Sequence, residues 1–166
     1  MDNEMRDINL ISEIEKALFE AVTRHQSDIE AEKQWLLTNC EKTNLSIIIS
    51  DLTVTAFHVL DAIGRFQPIN SINITKNSNI PKGTVSKNIK KLVSKNLITK
   101  SPLPDNKKEA VIKLTPLGEE LFELYKKLHR KFNLEFSDFL KRYSAEELKF
   151  LIQFLKDFQN LTWISR

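Results

Sequence analysis

Five side chains in one short stretch offer the plainest chemistry in this sequence: Lys82, Ser86, Lys87, Lys90 and Lys91. On a helix they gather on one side. Val85, Ile89, Leu92 and Val93 recur at i, i+4, i+7 and i+8 and form an apolar stripe on the other. Such a helix can rest on a core and hold its ammonium groups out to a polyanion. Lysines on an exposed helix face are more often plain solvated surface, so the neighbouring segments have to decide. Residues 76–113 carry ten lysines against two acids, Asp105 and Glu109, a net of +8. The whole chain is only +3, which leaves −5 for the remainder. Positive potential concentrated on one module is the electrostatic footprint of a polyanion binder.

The elements around the stretch would position it. Asn79 stands where a tight turn wants a left-handed residue, and Pro81 opens the helix where a missing N–H costs nothing. Upstream, residues 70–78 predict a short helix capped by Asn70 and packed through Ile74. Downstream, Leu97–Ser101 and Ala110–Thr115 predict two strands, the second alternating Val111 and Lys113 against Ile112 and Leu114. The charged, Pro-stiffened turn PLPDNKK joins them. Helix, turn, helix and a hairpin with a basic tip make a winged helix-turn-helix, whose tip and second helix can meet one duplex. Thr53 or Thr55 caps a supporting helix that runs to about Phe66. Its core candidates are Val54, Phe57, Val59, Leu60 and Ile63, and Gly64 and Pro68 mark its end region.

Long helices flank this module. Residues 7 to about 40 repeat Ile11, Ile14, Leu18, Val22 and His25 at three- and four-residue steps, with Trp35, Leu36 and Leu37 beyond them. The following TNLSIIISDL reads as a short helix or a loop. Thr115 and Pro116 start a helix to about Lys141, with Leu121, Leu124, Leu128, Phe132 and Phe136 on one side. Ser144-Ala145-Glu146-Glu147 is a capping box for a last helix bearing Leu148, Leu151, Ile152, Leu155 and Phe158. These terminal faces can close over one another in one chain or pair with a second copy, and a two-fold dimer buries more. The expected fold is mainly α: a winged helix-turn-helix with long N- and C-terminal dimerisation helices. Residues 1–50 form the N-terminal dimerisation segment, 51–115 the DNA-binding domain and 116–166 the C-terminal dimerisation helices.

Composition narrows the class. With 166 residues, 41% of them hydrophobic, there is enough apolar mass for a core. A single cysteine excludes a disulfide framework and suits a reducing cytoplasm. The longest apolar run, Ile47–Ile49, is far short of a membrane span, and the acidic N-terminus lacks a signal layout. An enzyme is not expected: three glycines make no phosphate-cradling loop, and neither a nucleophile elbow nor a catalytic carboxylate or histidine cluster is present. His25, His58 and His129 do not fall at metal-ligand spacing, so neither metal nor cofactor is expected.

The chain resembles the MarR-type winged-helix transcriptional regulators. The likeness rests on LTVTAFHVLDAI (52–63), KGTVSKNIKKLVSKNLI (82–98) and NKKEAVIKLTPLG (106–118), in that family's order and spacing. The resemblance implies a homodimer whose terminal helices intertwine, with two recognition helices on successive major grooves of a pseudo-palindromic operator. Gly83, Thr84, Ser86 and Lys87 would approach base edges, Lys87 reaching guanine O6 and N7. Lys82 joins this DNA-facing set, Lys90 and Lys91 would hold phosphates, and Lys107 and Lys108 would enter or flank the minor groove. The family's wing carries an Asp followed by arginines; here Asn106, Lys107 and Lys108 take those places, and lysine, lacking the planar fork, suits phosphate contact. Thr75 and Ser78 stand where small and apolar residues are usual. Family members often release DNA when a small amphipathic or aromatic molecule lodges between the helical and winged parts; here Trp35, Phe57, Phe66 and Phe122 are the candidates, with core packing as their other use. Cys40 is a redox sensor in some relatives' manner or an inert thiol. The alternative to sequence-specific DNA binding is a winged-helix adaptor that binds proteins.

Overall fold

In the computed structural model the chain forms α1 (Asp2–Thr38), α2 (Thr43–Asp51), α3 (Val54–Phe66), α4 (Ser71–Ser78), α5 (Lys82–Ser94), β1 (Ile98–Leu103), β2 (Asn106–Leu114), α6 (Pro116–Leu140) and α7 (Ala145–Asn160). The described backbone covers residues 2–103 and 106–161, with side chains except at 2–8, 22–23, 25–29, 103 and 106–109. The segment after α1, open between helix and loop, is helical. Packing divides the chain into residues 1–128 and 129–166.

In the first unit one continuous core joins Leu36 of α1, Leu45 and Ile49 of α2, the inner face of α3, Ile74 of α4, Val85, Ile89 and Leu92 of α5, Ile112 of β2, and Leu121 and Tyr125 of α6. This core runs across the boundaries expected at residues 50 and 115. At its centre, α3 buries Ala56, Phe57, Val59, Leu60, Ala62 and Ile63, more than one face of the helix. Each such Leu, Ile, Val or Phe contributes about 1.5–3 kcal/mol. Thr53 caps α3, accepting from the Ala56 amide. Gly64 lies inside the helix rather than at its end. A Cβ there would come within 2.5 Å of the Phe122 ring, so glycine lets α6 approach α3 closely.

The joints of the helix-turn-helix follow local rules. Asn70 caps α4, its side chain accepting from the Asn73 amide at 2.9 Å, and Ile74 is fully buried. Asn79 is left-handed, with φ 54°. Pro81 then caps α5. At the other end of α5 the Leu97 amide donates to the Leu92 carbonyl at 3.0 Å and the Asn96 amide to Val93 at 2.9 Å. With Asn96 left-handed at φ 56° and Leu92 and Leu97 both buried, this is a Schellman ending with its apolar contact.

β1 and β2 pair antiparallel from Ile98↔Leu114 to Pro102↔Ala110, with a register shift between Pro102 and Leu103. Both strands run further toward the tip than the residues predict. In a two-stranded ribbon each strand is an edge, where Pro102, without an N–H, is tolerated. Ile69 adds a bridge to Ile112, with hydrogen bonds of 3.1 and 2.8 Å. Thr115 starts α6 as expected, accepting from the Gly118 amide at 3.0 Å.

In the second unit, Ser144 and Glu147 complete the capping box of α7, with bonds of 2.7 and 3.2 Å. The bond from the Ser144 amide holds the Glu147 carboxyl below its ordinary range. No residue of α7 is buried, and Phe136 (61% exposed) and Phe150 (74%) stand among many large apolar side chains left in solvent. Of the N-terminal stripe, Ile11 and Ile14 are likewise exposed, while the side chains of Val22 and His25 lie outside the described residues.

Candidate nucleic-acid interface

The recognition-unit helix turns Val85, Asn88, Ile89 and Leu92 into the core. Val93, expected on that stripe, is 43% exposed instead. It lies at the edge of the arc centred on Val85 and Leu92, and Asn88, at i+3 from Val85, takes the inward place. The buried Asn88 amide donates to the Thr84 carbonyl at 2.9 Å, so its polar group is satisfied inside the helix. With the inner face spent, Lys82, Gly83, Ser86, Lys87 and Lys90 are exposed, while Thr84 and Lys91 are half-buried.

Two clefts flank this face. One, of about 300 Å³, is lined by Lys82, Ser86 and Lys90 of α5, Ser71 and Ile72 of α4, and Lys100 of β1. Lys100 was legible only as one charge in the basic run; strand pairing opposite Ile112 brings it to the helix. The other, of about 430 Å³, gathers Thr84, Lys87 and Lys91 with Asp51, Thr53 and Thr55 at the junction of α2 and α3. Here Lys91 and Lys95 both pair with Asp51, at 2.8 and 2.5 Å. Hydrogen bonds from Lys91, then Lys95, hold the Asp51 carboxyl down to about 2. Ammonium and hydroxyl donors thus line both sides of α5, the arrangement phosphate oxygens require. Lys107 and Lys108 belong to β2, but their side chains lie outside the described residues.

Gly83 has φ outside the left-handed region, and a Cβ placed on it meets nothing within 4 Å. The fold itself has no use for glycine there.

The four aromatic candidates for an effector site are spent differently. Phe57 is buried and stacked on Tyr125, ring centroids 5.6 Å apart; Phe122 is buried against Gly64; Trp35 is half-buried against the core. Phe66, 51% exposed, lines a separate cleft with His58, Asp61 and Arg65. Burial pushes the Tyr125 phenol well above its ordinary range. Cys40 is half-buried, its thiol 3.4 Å from the Lys42 carbonyl. Among the described residues, no group of His, Cys, Asp and Glu is arranged to hold a metal ion, and no single helix is long and apolar enough to cross a membrane.

A capped supporting helix, two helices joined through a left-handed turn, and a two-stranded wing with basic residues facing outward define a winged helix-turn-helix protein. Residues 52–110 match the model of the MarR family. The HTH-type transcriptional regulator PchR of Bacillus subtilis (strain 168) is 42% identical over 103 residues, covering 62% of this chain and 61% of that protein. The chain spans about three fifths of the length of the curated relatives it matches. The crystal structure of the adhesin competence repressor (AdcR) from Streptococcus pyogenes superposes with a TM-score of 0.72, covering 88% of this chain and 95% of that one at 22% identity. Streptococcus pneumoniae FabT in complex with DNA superposes with a TM-score of 0.65, covering 87% and 94% at 18% identity. At these identities the likeness is one of fold.

Proposed function

We propose that this chain binds double-stranded DNA sequence-specifically and regulates transcription, as a repressor acting as a homodimer on a pseudo-palindromic operator. One observation carries this: α5 spends its apolar face on the core and leaves Lys82, Gly83, Ser86, Lys87 and Lys90 in solvent beside a lysine-bearing strand. Gly83 supports it, since a residue with no internal reason to be glycine suits close approach of an outside backbone. The names of the curated relatives and the DNA-bound structure of FabT favour the same reading. In the homodimer, the exposed apolar faces of the terminal helices meet their copies, and half-sites fall about one helical turn apart. Lys87 reads guanine, Lys90 and Lys91 hold phosphates, and the wing lysines Lys107 and Lys108 track the minor groove. An aromatic or amphipathic effector acting near Trp35, Phe57 and Phe122 works by displacing their core packing, and one acting at Phe66 meets a side chain already exposed.

The test is selection from a random duplex pool with the full chain, followed by titration of the selected site across a salt series. A shared inverted repeat, bound at least about a thousandfold more tightly than random duplex, is the expected result. Recovery of no common sequence defeats the proposal.

A further inference from the structure

The cleft at the junction of α2 and α3 contains a group that a DNA-facing surface would not need for itself, a carboxylate. Asp51 is shared by two lysines, Lys91 at 2.8 Å and Lys95 at 2.5 Å. Around it the cleft presents the hydroxyls of Thr53, Thr55 and Thr84 and the ammonium of Lys87. These are donors of the kind that phosphate oxygens accept from, and they enclose a single acid. One carboxylate neutralises only one of its two lysines, so the trio carries a surplus positive charge. Either lysine can leave while the other keeps the carboxylate paired. Lys91 lines the cleft, and Lys95 sits one turn further on, at the end of α5.

We propose that this cleft seats a phosphate of the DNA backbone and that Asp51 stands in for that phosphate in the free protein. On binding, Lys91 passes from the carboxylate to the phosphate and Lys95 stays behind. The inference rests on the DNA-binding function proposed above and assigns Asp51 a part in it. A phosphate entering the cleft must approach a negative charge and compete for Lys91. Phosphates are alike in every sequence, so this opposition weakens binding to all duplexes equally and leaves discrimination to the start of α5. Asp51 is therefore a brake on backbone binding, acting alike on specific and random duplexes. The carboxyl, held near 2, stays ionised across the neutral range, so the brake is electrostatic and constant.

The experiment uses the 166-residue chain on a random duplex and on its selected site, each over a salt series, with melting curves as a fold control. Asp51→Asn, nearly isosteric at an exposed position, is expected to tighten random-duplex binding about threefold to fivefold, the effect of one unit charge at contact distance in water. Lys91→Gln is expected to lower the slope of log K against log salt by about 0.9, while Lys95→Gln leaves it unchanged. Asp51→Asn binding no tighter than the parent, or Lys91→Gln with an unaltered slope, overturns the proposal. Asp51→Ala supplies the same readout should the asparagine disturb folding. A parent chain with no salt-dependent binding to either duplex overturns the DNA-binding function and this inference together. A steep parental slope with an indifferent Asp51→Asn overturns the inference alone.

Discussion

The Leu114 amide donates to the side-chain carbonyl of Gln67 at 2.7 Å, so the base of the wing hangs from the segment between α3 and α4. The side-chain nitrogen of Gln67 in turn donates to the Glu119 carboxylate of α6, also at 2.7 Å. Gln67 thereby joins three elements at a part-buried point. Gln67→Leu keeps the bulk and removes both bonds, leaving the Leu114 amide without that acceptor. The expected loss is about 1–3 kcal/mol of unfolding free energy, read as a lower urea midpoint at unchanged m-value. An unchanged midpoint would mean that water replaces the side chain without loss.

Asn79 gives a sharper backbone test. Its φ of 54° and ψ of 25° place it in the left-handed region between the two helices of the recognition unit. Asn79→Gly should be tolerated within a few tenths of a kcal/mol, because glycine enters this region freely. Asn79→Val should lose about 1–2 kcal/mol, since its branched Cβ meets the following carbonyl. Denaturant unfolding of the pair decides it; equal stabilities would show that the turn is not held left-handed in solution.

Such features were legible from the residues because they are local. The Asn70 and Thr115 caps, the Ser144 capping box and the Asn79–Pro81 turn each depend on a few neighbouring side chains. What stayed hidden needs residues far apart in the chain. Lys91 reads from the sequence as a phosphate contact alone, and only the fold shows that α2 also brings Asp51 to 2.8 Å from it. Ile69 carries no strand pattern alone and is recruited by its bridge to Ile112. Val93 and Asn88 show the limit of counting apolar residues: helix geometry, not polarity, chose which faced inward, and Asn88 could be buried because its amide bonds to Thr84. The aromatic candidates were found by residue type, and type alone does not separate a core Phe57 from an exposed Phe66.

Gly83 separates stability from binding. Glycine in a helix costs up to about 1 kcal/mol relative to alanine, and here a methyl group would meet open space. Gly83→Ala is expected to raise the melting temperature slightly while weakening binding to the selected duplex. Calorimetry and fluorescence anisotropy on one preparation measure the two effects. Tighter or equal binding by the more stable variant would remove the backbone of Gly83 from the interface.

The exposed aromatic residues of the second unit bear on the oligomeric state. Phe136 and Phe150, at 61% and 74% exposure, are large apolar surfaces left in water. If they pack against a second copy, Phe136→Asp and Phe150→Asp should convert a dimer to a monomer in sedimentation velocity. Residues 1–128 have their own core and should keep their near-ultraviolet signal. A variant that sediments as the parent does would place the dimer contact elsewhere.

Base reading and backbone holding predict different failures for two sets of lysines. Lys87 lies in the first half of α5 with its side chain exposed, where a helix in the major groove meets base edges. Lys87→Ala should cost about 1–3 kcal/mol on the selected site and relax preference at one base pair, with a smaller loss on random duplex. Lys107 and Lys108 belong to the wing, where contact is with phosphates or the minor groove. Their joint replacement by alanine should weaken all duplexes alike and lower the salt slope by about 0.9 for each phosphate contact removed. Equal losses on specific and random DNA for Lys87→Ala would reassign that residue to the backbone. An unchanged slope for the wing pair would take the tip out of the complex, leaving Lys82, Lys90 and Lys100 as the cations between helix and hairpin that meet the duplex.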